Sequence, residues 1–445
     1  MLFRRDFQEH VRLGWYVIRW VVIATPIAAV IGSSCALFLW ALDRATETRF
    51  SHPWLLFLLP LAGALIVWSY RRWGGDSGHG NNLIMDEIHE PRAGVPARMA
   101  PMILISTVVT HLFGGSAGRE GTAIQIGGSL AATLGRFFKL TTTDTRKLLM
   151  VGMSAGFAGV FGTPLAGTVF AIEVLAIGRM TYEALLPCLI GAIVGDYFCT
   201  VWGVHHTRYM VEVGPAAFEW LTASKVAVAA VAFGLVSVVF AELTHGLHRL
   251  WERICPRDWF RPVIGGCLII GLTHLLGTRD YLGLGVYSSS PDGVSILNAF
   301  HPSGADAMSW WWKILFTAIT LSSGFKGGEV TPLFFVGATL GNTLAGVTGA
   351  PADLFAALGF VAVFAGATNT PLACTLMGIE LFGSAHMIYF AIACFLSYVF
   401  SGHSGIYLSQ RIGTRKGMLD GVPEGVTLAR LRDTHHSQSE SDRSG

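Results

Sequence analysis

The sequence predicts an all-α polytopic membrane protein built from two related halves. Three observations lead there: a composition too apolar for water, several charge-free runs long enough to cross a bilayer, and one segment that occurs twice. Of the 445 residues, 52% are apolar by type and only 13% are charged, whereas soluble domains carry about a quarter charged residues. A net charge of +2 gives no reason to expect nucleic acid as a partner.

A helix needs about 20 apolar residues to span the hydrocarbon core. Trp20 to Leu42, Pro53 to Tyr70, Leu148 to Ile172, Val330 to Ala352 and Leu354 to Ile379 meet or approach that length. Thr163-Pro164, Thr331-Pro332 and Thr370-Pro371 interrupt the later runs. Broken helices survive in a bilayer only where protein or a polar cavity satisfies the freed backbone groups, which favours a transporter or channel over a simple anchor. Arg4, Arg5, Arg12 and Arg19 precede the first run, and Arg71 and Arg72 follow the second. That is the charge pattern of a hairpin with both ends in the cytoplasm, so the N-terminus is expected inside. The first run is too long for a signal peptide and should remain as a span. The seven cysteines lie mostly in apolar segments without metal-ligand spacing, so they read as packing residues, and no cofactor is expected.

Phe161-Gly-Thr-Pro-Leu-Ala-Gly-Thr-Val-Phe-Ala-Ile-Glu173 aligns without gaps on Thr368-Asn-Thr-Pro-Leu-Ala-Cys-Thr-Leu-Met-Gly-Ile-Glu380, at an offset of 371 − 164 = 207. The same offset sets Arg119 on Lys326 and Gly121 on Gly328. Duplicated halves with interrupted helices at matching places point to a binding site near the membrane midplane, where the repeats meet. Spacing alone leaves open whether the repeat is parallel or inverted. Glu173 and Glu380 recur in both halves and are expected to share a structural role.

An ionisable residue between apolar runs needs a reason, because a charge at the bilayer centre costs about 2.5 to 3.5 kcal/mol. Glu120 sits in Gly114-Gly-Ser-Ala-Gly-Arg-Glu-Gly-Thr122, where the glycines allow close backbone approach and the residues from Thr122 can start a helix. Free amides and the positive helix end favour an anion there. Glu120 could fill that anion site itself, leave when an anion arrives, take up a proton and return neutral. The bland alternative is a surface loop in which Glu120 pairs with Arg119. Gly80-Asn-Asn-Leu-Ile84 is a second loop able to present donors, against an ordinary polar turn. Gly327-Gly-Glu-Val-Thr-Pro-Leu333 is a third, with Thr331 at the N-cap position and Pro332 in the first turn. Tyr407 follows the last long apolar run, where its default role is an interfacial anchor.

Together these segments resemble the CLC family of chloride channels and proton-coupled anion antiporters, from about residue 15 to residue 412. Gly118-Arg-Glu-Gly121 stands at that family's GREGP segment, Ala155-Gly-Phe-Ala-Gly-Val-Phe-Gly-Thr-Pro-Leu-Ala-Gly167 at its AGxAAxFxxPLAG segment, and Gly328-Glu-Val-Thr-Pro332 at its GxFxP segment. The resemblance implies the CLC-type fold, an inverted repeat with halves of about 15–205 and 220–412, a short cytoplasmic segment at 1–14 and a cytoplasmic tail at 413–445; the polar composition from about Leu431 to Gly445 reads as a disordered end. It implies Glu120 as the gating glutamate and Tyr407 as a hydroxyl donor at the central anion site. It further implies a homodimer in the cell membrane, with one pathway per subunit.

The departures narrow the expectation. Chloride and nitrate members carry GSGIP or GPGIP where this chain has Gly80-Asn-Asn-Leu-Ile84, and GREGP where it has Gly118-Arg-Glu-Gly-Thr122. Asn81 at the selectivity position, GREGT and GEVTP together resemble the fluoride-exporting branch, which implies fluoride and protons as the exchanged ions. Fluoride is small and strongly hydrated, so a site must replace its water with short hydrogen bonds, which Asn81 and Thr331 can donate. The expected anion-binding set is Gly80, Asn81, Asn82, Gly118, Arg119, Gly121, Thr122, Val330, Thr331 and Tyr407, with Glu120 and Glu329 moving protons. The inward-facing glutamate of chloride/proton exchangers is replaced by Val174, so protons need another route or coupling is absent. The alternative is a chloride/proton antiporter or passive channel with an unusual selectivity loop. An enzyme is not expected: Met85-Asp-Glu-Ile-His-Glu90 lacks HExxH spacing.

Overall fold

The structure, a computed structural model, describes residues 2–214, 218–417 and 422–434, with the side chains of 2–7 excepted. It is almost entirely helical. The first half comprises α1 (Leu2–Ser51), α2 (Leu59–Ser69), α3 (Asn81–His89), α4 (Met99–Leu112), α5 (Glu120–Gly135), α6 (Thr142–Phe161), α7 (Pro164–Glu173) and α8 (Leu185–Val201). The second comprises α9 (Trp220–Ile254), α10 (Arg261–Leu276), α11 (Ser309–Ser322), α12 (Val330–Thr348), α13 (Ala352–Thr368), α14 (Pro371–Phe382) and α15 (Met387–Phe400). Two two-residue strands, β1 (Ala176–Ile177) and β2 (Arg411–Ile412), pair in parallel. Among the described residues, six helices are long and apolar enough to cross a membrane.

The run from Leu148 to Ile172 is not one span but α6 and α7. Gly162 at φ +70° closes α6 in the left-handed conformation, and Pro164 opens α7, because a left-handed residue frees the last carbonyls for capping while proline fits a first helical turn. The run from Leu354 to Ile379 breaks the same way, with Asn369 at φ +58° and Pro371. Asparagine is the residue besides glycine that visits this region most readily. In contrast, Thr331-Pro332 lies inside the first turn of α12, which begins at Val330. Thr331 is therefore a second helical residue and not an N-cap.

The halves pack alike: α5 on α6 as α12 on α13, α1 on α8 as α9 on α15, with α7 against α14 between them. At Gly337 and Gly359 an added Cβ would lie 2.0 Å from the facing backbone carbonyl, the small-residue contact that lets membrane helices approach closely. The 207-residue offset holds for α7 and α14 but not for the loops ahead of α5 and α12. There Gly118 and Gly328 form an antiparallel bridge, the positive-φ glycines are Gly114 and Gly324, and the helices start at Glu120 and Val330, all 210 apart. The reason is one turn of helix: α6 has 20 residues and α13 has 17. Arg119 thus corresponds to Glu329, and not to Lys326 as the ungapped register suggests.

Glu173 and Glu380 join the halves. Glu173 accepts from the amides of Leu372 at 3.1 Å and Ala373 at 2.8 Å. Glu380 accepts from those of Leu165 at 2.9 Å and Ala166 at 2.8 Å. Each carboxylate caps the helix start of the opposite half, where free N–H groups and the helix dipole favour negative charge. After Tyr407 the chain folds back: Ile177, Ile412, Leu428 and Leu431 form a small core of their own, and Arg432 pairs with Glu242 at 2.6 Å. The described end of the tail is therefore packed through Leu431, and residues 435–445 lie outside the described set. The acidic run at 85–90 is engaged structurally. Glu87 accepts from the amides of Arg92 and Ala93, His89 lies 3.0 Å from the Leu175 carbonyl, and Glu90 pairs with Arg411.

Candidate functional site

Where the halves meet, the starts of α5 and α12 are pinned together by the mutual bridge of Gly118 and Gly328, with N–O distances of 2.5 and 2.8 Å. A side chain is excluded there, since a Cβ on Gly328 would sit 2.8 Å from the Gly121 nitrogen and one on Gly118 3.0 Å from Glu120 Oε2. Gly328→Ala should consequently spread the two helix starts and lower stability by about 1 to 3 kcal/mol, the range for overpacking. A thermal melt in detergent checks this; a normal melt would show that the contact is loose.

Glu120 is the first residue of α5, two earlier than the helix start expected at Thr122, and is only 1% exposed. Its carboxylate lies across the start of α12. Oε2 accepts from the Thr331 amide at 3.0 Å and the Arg119 amide at 3.1 Å, and the Thr331 hydroxyl stands 2.6 Å from both oxygens. Arg119 Nε is 3.6 Å from Oε1, an ion pair without a hydrogen bond. A buried carboxyl oxygen thus sits on two backbone amides and a hydroxyl at a helix start, the arrangement that holds an anion.

Around it, the start of α3 brings Asn81 in, with Nδ2 3.0 Å from the Cβ position of Gly121. Glu329 Oε2 is 3.9 Å from that same position. Tyr407 is 4% exposed, within electrostatic reach of both Glu329 and Glu120. Asn81 Oδ1 and the Tyr407 hydroxyl are buried without a hydrogen-bond partner among the described residues, which is uncommon in a packed interior and marks a place for a ligand or water. Gly80, at φ +60° and ψ −135°, takes a backbone conformation essentially reserved for glycine and turns the chain into α3.

Other expected residues lie nearby in different roles. Asn82 Oδ1 accepts from the Ser409 amide at 3.1 Å and so fixes the segment carrying Tyr407. Thr122 is fully buried, and its hydroxyl meets that of Thr107 on α4 at 2.8 Å. Val330 is fully buried as the first residue of α12.

Several groups that hold the site have no signal in the sequence. His111 has Nε2 2.9 Å from the Ala117 carbonyl and Nδ1 2.8 Å from that of Thr107. Ser116 is tied to α11 through Thr320 Oγ1 at 3.1 Å and Thr317 Oγ1 at 2.9 Å. These hydroxyls lock the Glu120 loop of one half onto the other half. Only the spacing of Thr317 and Thr320 along one helix face hints at it.

The profile of the family described as voltage gated chloride channel matches residues 62–402. The chain belongs to that family. Over 446 aligned residues, covering 99% of this chain and 96% of the relative, it is 48% identical to a "Chloride/fluoride channel protein" of Pseudomonas syringae pv. tomato. Among solved structures it is similar to a "CLC-type fluoride/proton antiporter", with TM-score 0.84 and 34% identity over 89% of this chain and 98% of that one. A "slow cyanobacterial Cl-/H+ antiporter" shares the fold, with TM-score 0.74 and 21% identity over 86% of this chain and 94% of that one. This voltage-gated chloride channel family member is accordingly a multi-pass membrane protein, and its relatives are transporters and channels.

Proposed function

We propose that the chain exports fluoride across the cell membrane in exchange for protons, with Glu120 as both gate and proton carrier. The observation that carries this reading is the Glu120 carboxylate seated on the amides of Arg119 and Thr331 and on the Thr331 hydroxyl, the donors an anion would use. The 48% identical chloride/fluoride channel protein and the fluoride/proton antiporter of like structure support fluoride as the ion.

In this mechanism fluoride entering beside Asn81 and Tyr407 competes for the α12 donors. The Asn81 amide turns toward it and the Tyr407 hydroxyl points in, so that short donors replace the water the ion has lost. Repulsion then displaces the Glu120 carboxylate, which is protonated outside the site, and the neutral acid no longer competes. Releasing fluoride outward and returning the proton inward completes the exchange. Val174 is fully buried, and its carbonyl accepts from Gln410 at 2.8 Å. That position therefore offers no inward carboxylate, and Glu329, near Tyr407, takes the inward proton step. Both termini are cytoplasmic, and each subunit of a homodimer holds its own pathway.

Fluoride efflux from proteoliposomes, with external pH recorded, tests the reading. Fluoride must leave in strong preference to chloride, with stoichiometric proton uptake. Equal chloride flux would turn the assignment to a chloride/proton antiporter, and flux without protons to a passive channel. Asn81→Ser should narrow the fluoride preference about tenfold, the equivalent of one hydrogen bond of about 1.4 kcal/mol. An unchanged preference, measured by competing efflux of the two halides, would remove Asn81 from the selectivity site.

A further inference from the structure

The segment between the halves, residues 202–214, carries no readable motif, yet it covers a cavity of about 20 Å3 at Glu120. Arg119, Glu120, Thr331, His206, Thr207 and Tyr209 supply the polar part of its lining. Neither Asn81, Glu329 nor Tyr407 lines it, so it reaches Glu120 from a different side. Its volume holds about one water, whose centre needs some 10 to 15 Å3. His205, next in the chain, lies in a groove with Trp40 and Asp43 near the end of α1, the end that the arginine distribution places outside.

His206 is tightly placed. Its ring rests on Gly162, with Cδ2 2.5 Å from the Cβ position there, and Nε2 stands 3.5 Å from Asp196 Oδ1 on α8. Among the described residues both atoms are buried without a hydrogen-bond partner, although the side chains remain 20% and 26% exposed. The charged and titratable groups facing this pair are Arg119 and Glu120 across the cavity, Tyr209 on the same segment, Asp43 near Arg119, and Glu380 and Cys199 within reach of Asp196.

We propose that His206, set beside Asp196, is the outer proton-transfer residue of the exchange. This rests on the fluoride/proton reading above. Histidine is the side chain that ordinarily changes charge between pH 5 and 8. Protonated His206 gives its proton to a water in the cavity as that water protonates the Glu120 carboxylate released from Thr331. The neutral imidazole then regains a proton from outside, and the balance is one proton moved inward. The need is one of access: free protons are scarce at pH 8, and the partly exposed imidazole can be recharged by external buffer acids that a cavity with room for about one water keeps from Glu120.

The test measures proton uptake and fluoride efflux in proteoliposomes at external pH 6 and 8 for the wild type, His206→Ala and Asp196→Asn. His206→Ala should slow both fluxes about threefold at pH 6 and about tenfold or more at pH 8, and external imidazole should restore them. Asp196→Asn should show a smaller deficit with the same pH trend. A wild-type pH profile in His206→Ala, or equal slowing at both pH values that imidazole leaves untouched, overturns the proposal. Failure of the exchange reading is distinguishable, because the wild type itself would then show no proton-coupled fluoride flux.

Discussion

Proteoliposomes carrying Glu120→Gln are expected to move anion while proton uptake falls at least about 100-fold, the lower end of what a positioned proton-transfer group contributes. The amide keeps the shape of the side chain but cannot titrate. It also loses the charge that makes the Thr331 hydroxyl and the Arg119 and Thr331 amides, at 2.6 to 3.1 Å, strong partners. Charge-assisted hydrogen bonds are roughly twice as strong as neutral ones, so these donors become easier for an anion to take. Fluoride titration of the detergent-solubilised variant should therefore show tighter binding than the wild type. The decisive pair of readings is proton flux and anion flux in one preparation. Retention of coupled exchange by Glu120→Gln would place the proton carrier elsewhere, with Glu329 the first alternative.

The second large effect concerns stability. Glu173→Ala leaves the Leu372 and Ala373 amides at the start of α14 without acceptors inside the membrane, removing two hydrogen bonds to a charged group at about 1.5 to 3 kcal/mol each. A loss of about 3 kcal/mol or more is expected, visible as a marked drop in melting temperature in detergent. Glu380→Ala should cost less, because Glu380 is only partly buried whereas Glu173 is 8% exposed. Were Glu173→Ala to melt normally while its proton flux collapsed, Glu173 would belong to the proton path, and the capping role would be wrong.

Much of the fold could be read in advance because the repeated Thr-Pro-Leu-Ala segments carry their own physics: a left-handed residue, then proline, then a capping glutamate 9 residues later. Spans that carry charge were not legible. Lys225 and Glu242 leave only 16 charge-free residues in α9, and α8 contains Asp196 in mid-helix, so a charge-free criterion passes over both. The correspondence of Arg119 with Glu329 was hidden by the extra turn in α6, which no local signal announces. At the site, the glycine-rich segments were visible because close backbone approach demands glycine. The supports from His111, Ser116, Thr317 and Thr320 were not, since each is an ordinary helix or loop residue whose partner lies across the fold. Thr331 shows the limit most clearly. Spacing gave it a local capping role, whereas tertiary contact turned its hydroxyl to a carboxylate 211 positions away.

The crossed capping of α7 and α14 also bears on biosynthesis. Ala166 is translated 214 residues before the Glu380 that receives its amide, which at about 5 to 20 residues per second is a wait of roughly 10 to 40 seconds. Throughout that interval the nascent first half sits in the bilayer with an unfinished helix start and can be completed only by its sibling. A gene cut between the halves would therefore yield two polypeptides obliged to find each other, neither of them a finished unit by itself.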